Sequence, residues 1–171
     1  MSAYQPPNKN FLSPFGFRMS MKRTPNTEYF VQSVSIPGVN LAFGTQLTPF
    51  TPISHPTSMS YGDLTVTFKV AEDLTNYLEI FNWITDIGAA VNFDGAKALA
   101  NKSYGEADYG FKSDVTVSIL NSAMKPNVRY KFYDAFPIDL SEMTMDATLS
   151  DVDYVTATVT FRFLRPEIVV V

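Results

Sequence analysis

Val155-Thr156-Ala157-Thr158-Val159-Thr160-Phe161-Arg162-Phe163 is the stretch on which the fold turns. Val155, Ala157, Val159, Phe161 and Phe163 alternate with threonine and arginine, a period of two that puts the apolar side chains on one face of an extended strand. One face meets a core and the other is polar, which is the habit of antiparallel sheets rather than of parallel ones buried on both sides. Working outward, the same alternation recurs at Leu64, Val66, Phe68 and Val70, and at Val115, Val117 and Ile119. It recurs again at Met143, Met145, Ala147 and Leu149, and at Phe15, Phe17, Met19 and Met21. Two Pro-Asn pairs mark turns. Arg23-Thr24-Pro25-Asn26-Thr27 predicts a hairpin between Phe15–Lys22 and Tyr29–Ile36, and Met124-Lys125-Pro126-Asn127 predicts one between Val115–Ile119 and Val128–Tyr133. The pattern predicts a mostly β, antiparallel sandwich or distorted barrel flanked by one α-helix.

That helix is the exception to period two. From Asp73 to Ile87, Leu74, Tyr77, Leu78, Phe81 and Ile84 recur at helical spacing, with Asp73 placed to cap the start and Gly88 to end it. This stripe is read as the core face. Ile80, Trp83 and Ile87 then form a second apolar flank, covered either by a loop of the same chain or by another chain.

Two long connections remain, besides an N-terminal arm at 1–14. Residues 37–60 contain Thr48-Pro49-Phe50-Thr51-Pro52 and His55-Pro56, too many prolines for a central strand throughout. They also carry Val39, Leu41, Phe43, Leu47, Phe50 and Ile53, too much apolar surface for a solvated linker. An extended arm packed on a neighbouring subunit reconciles the two. Residues 89–112 are small, polar and glycine-rich, with Tyr104, Tyr109 and Phe111, and are read as a long functional loop. The closing Ile168-Val169-Val170-Val171 is β-prone, and pairs either within the fold or onto a neighbour.

Composition bounds the function. The 171 residues hold no cysteine, 46% hydrophobic and 18% charged residues, and a net charge of -4. Disulfide-stapled modules, thiol enzymes and zinc ribbons are excluded, and one well-packed domain is expected. No targeting peptide or membrane-spanning apolar run is present, so a cytoplasmic setting is the default, with no membrane insertion. The single histidine, His55, has no nucleophile elbow or metal-ligand partner pattern around it, and no phosphate-binding glycine motif occurs. No catalytic residue, metal or cofactor is expected. Six acids, Asp134, Asp139, Glu142, Asp146, Asp151 and Asp153, run without a cation between Lys131 and Arg162. They are read as solvated or interface charges, which around a channel would repel phosphates. Arg18, Lys22 and Arg23, and Lys125, Arg129 and Lys131, form two basic groups, so head-to-tail contact between copies is electrostatically reasonable.

The sequence resembles the tail tube proteins of contractile-tailed bacteriophages. The resemblance rests on Val34-Ser35-Ile36-Pro37-Gly38, the proline-rich arm, Leu64-Thr65-Val66-Thr67-Phe68 leading to Asn76-Tyr77-Leu78-Glu79-Ile80-Phe81-Asn82-Trp83-Ile84, and Tyr133-Asp134-Ala135-Phe136-Pro137 before the last strands. It runs from about Phe15 to Phe163. The family implies a structural, non-enzymatic subunit of six-membered rings that stack into a tube. That tube forms on a baseplate around a tape-measure protein, is closed by a terminator and wrapped by a contractile sheath, and conducts DNA without binding it specifically. The virion tail would be its final location, after assembly in the host cytoplasm. Leu47, Phe50 and Ile53 are the expected contacts to the adjacent ring, and Ile80, Trp83 and Ile87 to a neighbour or the sheath. The polar faces of Tyr29–Ile36 and Val115–Tyr133 are expected to line the bore. A baseplate tube-initiator, a type VI-like secretion tube and a monomeric glycan-binding β-sandwich using Tyr104, Tyr109 and Phe111 are the alternatives, with a hydrolase using two of the acids behind them.

Overall fold

The computed structural model of the chain describes residues 11–12, 14, 16–88, 110–146, 148 and 154–170. Most of the 1–14 arm and of the 89–112 loop, with Tyr104 and Tyr109, therefore lies outside the described residues, as do Ala147, Leu149, Asp151 and Asp153. The elements run β1 (Phe17–Met21), α1 (Pro25–Tyr29), β2 (Val31–Ser35), β3 (Val39–Gln46), β4 (Ile53–Tyr61), β5 (Leu64–Lys69), α2 (Thr75–Gly88), β6 (Ser113–Leu120), β7 (Pro126–Leu140), β8 (Thr156–Arg162) and β9 (Arg165–Val170).

The organising element is a long ribbon made of β7 against β9 and then β8, antiparallel throughout. It bends at Asp134, whose backbone takes a left-handed φ of 56°. Aspartate tolerates that region better than most residues, and the Asp114 carboxylate accepts the Asp134 N–H at 3.2 Å. On the partner strand the break falls at Leu164, whose N–H donates to the Tyr133 carbonyl at 3.0 Å. Either side of the bend the ribbon carries further strands. The first half of β7 lies in a four-stranded sheet of order β1-β6-β7-β9. The second half lies in another, β7-β8-β5-β2. Strands that pass from one sheet to the other through a bend make the corner of a two-layer β fold, with the core between the layers.

The core follows from the alternation. Met19, Met21, Val115, Val117, Phe132 and Ala135 come from the first sheet, and Leu64, Val66, Phe68, Ala157, Val159 and Phe161 from the second, all buried. Helix α2 adds Ile80 and Trp83, with Trp83 at 6.0 Å from the Phe161 ring. The strand that opened the sequence reading is β8, in the middle of its sheet, with Thr158 and Thr67 hydroxyls paired at 3.2 Å on the other face.

Three sequence expectations are corrected. Pro25-Asn26 is not a hairpin turn: Pro25 starts the short helix α1, and the strands on either side part, β1 to β6 and β2 to β5. Residues 141–146 are not a strand, although Met143 and Met145 alternate as one. Helix α2 is rolled about its axis relative to its expected core stripe. Ile80 and Trp83 are 0% and 2% exposed, Ile87 packs on the core, and Leu78 and Phe81 face solvent. The buried face includes Asn76, whose amide donates to the Lys69 carbonyl at 2.7 Å and accepts the Ala71 N–H at 3.1 Å, tying the helix to the end of β5. A polar residue there hid the true stripe. The hairpin between β6 and β7 is as expected, but its turn lies earlier, at Asn121–Lys125, and Pro126 and Asn127 already open β7 opposite Leu120; the C-terminal Ile168-Val169-Val170 stretch pairs within the fold, as β9 on β7.

Candidate assembly surfaces

Residues 37–60, expected as an extended arm, contain a β-hairpin. Among the described residues β3 and β4 pair only with each other, from Val39↔Tyr61 to Gln46↔Ile53, and the hairpin leaves the body where Gly62 N–H meets the Gly38 carbonyl at 3.1 Å. Proline is accommodated because the register slips between Leu41 and Phe43, where Pro56 stands opposite Phe43. At the tip, Thr48 Oγ1 donates to the Thr51 carbonyl and accepts the Thr51 N–H at 3.2 Å. That clasp closes the turn around Pro49 and thrusts Phe50 outward.

Among the described residues no layer lies beneath the hairpin. Leu47 is 85% exposed and Phe50 98%, and Val39, Leu41, Phe43, Ile53 and Met59 are exposed as well. The expected contacts Leu47, Phe50 and Ile53 thus come together at the tip. The other expected group does not share their situation: Ile80 and Trp83 are consumed by the subunit's own core, and Ile87 is half-buried there. The apolar residues that α2 leaves outward are Leu78 and Phe81, which the sequence assigned to the core stripe.

The second surface is the pair of open edges of the β1-β6-β7-β9 sheet. Among the described residues β1 pairs only with β6, and β9 only with β7, so each keeps one side of its backbone without a strand partner there. On β9 the side chains that point toward the core layer are not covered: Ile168 is 59% and Val170 76% exposed. Sequence reasoning flagged this tail as β-prone but could not see that pairing would leave it half open.

The third surface is the polar face of that sheet. Register aligns Arg18, Ser118, Arg129 and Val169 in one row and Ser20, Thr116, Lys131 and Glu167 in the next. Beyond them Arg165 stands opposite Tyr133, with its guanidinium 4.6 Å above the ring. The Tyr133 hydroxyl donates to the Glu167 carboxylate, which raises the tyrosine pKa above its ordinary value. Of the two strands expected to line one bore, Val115–Tyr133 maps to this sheet, whereas Tyr29 ends α1 and β2 sits at the far edge of the other sheet.

Of the remaining candidates, Arg23 is engaged: its guanidinium donates to the Gly110 carbonyl at 2.7 Å and lies 4.8 Å from the Trp83 ring. His55 stands on β4 opposite Gly44, exposed on the hairpin. Asp134 is at the ribbon bend, Asp139 further along β7, and Glu142 and Asp146 in the segment after it, so these acids do not converge. Among the described residues no group of three or more His, Asp or Glu could hold a metal ion, and no helix is long and apolar enough to cross a membrane.

The architecture has close parallels in solved structures. The chain is similar to one in an extracellular contractile injection system, the PVC sheath-tube complex in its extended state (TM-score 0.66, 18% identity, covering 95% of this chain and 94% of that one). It is also similar to the tube-terminating cap of the anti-feeding prophage (TM-score 0.65, 14% identity, 100% and 99% covered) and to Hcp1 from Flavobacterium johnsoniae (TM-score 0.50, 16% identity, 92% and 94% covered). At these identities the likeness is one of fold. No curated protein matches the sequence. The family model for phage tail tube proteins matches residues 5–166, nearly the whole chain. The chain belongs to the phage tail tube protein family, and its role is that of a structural subunit of a tail tube.

Proposed function

We propose that six copies close into a ring by pairing β9 of one subunit with β1 of the next, and that rings stack through the β3–β4 hairpin. The observation that carries this reading is the β1-β6-β7-β9 sheet, open at both ends and apolar but uncovered beneath one of them. An open edge is an aggregation liability in a monomer and disappears when copies join edge to edge. The two edges differ, so the contact is heterologous, and such contacts close into rings or run into filaments. The hairpin supplies the second, axial contact that a stack needs. The assembled tube serves as the inner tube of a contractile phage tail, inside a sheath, between baseplate and terminator and around a tape-measure protein, and conducts the genome. Assembly takes place in the host cytoplasm. The fold shared with a tube inside a sheath-tube complex supports the sheath as a partner, and the outward Leu78 and Phe81 on α2 are the side chains available to it.

The chain has no cysteine, so the edge contact can be read by cross-linking. Full-length protein carrying Ser20→Cys on β1 and Val169→Cys on β9, bridged with a short bis-maleimide, runs as a covalent ladder that stops at six. A chain that stays monomeric under these conditions, or a ladder equally strong with either cysteine alone, contradicts edge pairing.

A further inference from the structure

The apolar face of the β1-β6-β7-β9 sheet is covered unevenly. Its register sets the side chains in rows, and in one row Met21, Val115 and Phe132 are buried, with Pro166 half-buried at the end. In the next row Met19 and Val117 are buried, Tyr130 is half-buried and Ile168 is exposed. The last row is Phe17, Ile119, Val128 and Val170: its first three members are half-buried and Val170 is exposed. Cover thins toward one corner, the end of β9, where the described residues leave an apolar ledge of Val128, Ile168 and Val170. The segment that precedes β1 emerges at that same end of the sheet. It is tied there at Gly16, whose carbonyl accepts the Leu120 N–H at 2.8 Å, and Pro14 lies in a turn. Phe11 and Leu12 stand clear of the body, Phe11 fully exposed.

We infer that Phe11 and Leu12 of the next copy in a ring cover this ledge. The inference rests on the edge contact proposed above, β9 against the next β1, and deepens it by giving the apolar underside of that edge its partner. β1 and β9 run in opposite directions, because each step of the β1-β6-β7-β9 order is antiparallel. Edge pairing therefore starts the next copy's β1 beside the end of β9. The next copy's segment then enters one strand spacing, about 5 Å, from Val170, whereas the subunit's own enters three spacings, about 14 Å, away. Drawn straight, the run from Leu12 to Phe17 spans at most about 17 Å, and the turn at Pro14 shortens it. The neighbour's segment reaches the ledge with chain to spare, and the subunit's own would be stretched taut across the last row. Exposed apolar side chains and an uncovered apolar ledge both lose water when they meet. They lie on opposite edges of one sheet, so the contact is made between copies.

The test uses full-length protein carrying Leu12→Cys or Val170→Cys, singly and together, bridged during assembly with a short bis-maleimide. Mixing the two single variants gives a covalent dimer with one of each, identified by mass, while either alone gives none, and the doubly substituted chain runs as a ladder. A doubly substituted chain bridged within itself overturns the inference in favour of the subunit's own segment. A chain left unbridged while the Ser20–Val169 ladder forms overturns it and leaves the ring reading standing, and absence of both ladders overturns both. A second measurement does not depend on bridging. Phe11→Ser with Leu12→Ser raises the protein concentration needed for half-assembly by at least about tenfold, since two apolar side chains lose their burial. The unfolding midpoint of the dispersed subunit stays where it was, because both side chains are exposed there. Assembly at an unchanged concentration overturns the inference.

Discussion

Trp83 shows how one side chain ties three parts of the subunit together. Its indole N–H donates to the Phe111 carbonyl at 3.1 Å, its ring meets Phe161 on β8, and Arg23 lies against it while donating to Gly110. Replacing a buried tryptophan by alanine removes the contacts and leaves a cavity, at a cost of about 3–5 kcal/mol. Trp83→Ala therefore lowers the unfolding free energy of the dispersed subunit by that amount, read from the shift of its denaturant midpoint in equilibrium unfolding. A change below about 1 kcal/mol is the surface-residue outcome and contradicts the placement. Asn76 is the companion case. Sequence periodicity gave Leu74, Tyr77, Leu78, Phe81 and Ile84 as the core stripe because local pattern rewards apolar residues. The true stripe passes through a polar amide that is buried because Lys69 and Ala71 need its hydrogen bonds. Tyr77 and Ile84 flank both stripes, so the two readings differ by a modest roll of the helix that nothing local could fix.

At the scale of elements, strands with one buried face were legible and elements without a core were not. β5, β6 and β8 each alternate cleanly because a layer lies against one side of them. β3 and β4 have exposed residues along nearly their whole length, so no period of two marks them, and their prolines argued for a loop. Pairing partners were equally hidden: β1 and β2 are neighbours in sequence around Pro25-Asn26, yet helix α1 separates them and they end in different sheets, β1 beside β6 and β2 beside β5. The hairpin's isolation from the core makes a clean experiment. Phe50→Asp with Ile53→Asp changes side chains that support no packed layer, so subunit stability moves by less than about 0.5 kcal/mol. Sedimentation of the doubly substituted protein shows assembly halted short of tubes. Tubes of normal length and yield would remove the hairpin from the stacking contact.

For the whole molecule, the surfaces sort by direction. One sheet has two open edges, the hairpin stands off the body with apolar side chains at its tip, and α2 shows Leu78 and Phe81 on its outer side. A solitary subunit has little use for so much uncovered apolar surface, whereas edges that join and an arm that reaches are the parts of a tube. Membership of the tail tube family agrees with this division. The most direct test of edge closure is cryo-electron microscopy of the assembled full-length chain. The account predicts six-fold rings in which β9 of one subunit lies hydrogen-bonded beside β1 of the next, with the β3–β4 hairpin crossing to the adjacent ring. Rings joined through other elements, with β1 and β9 left unpaired or facing outward, or a chain that remains a dispersed monomer, would contradict it.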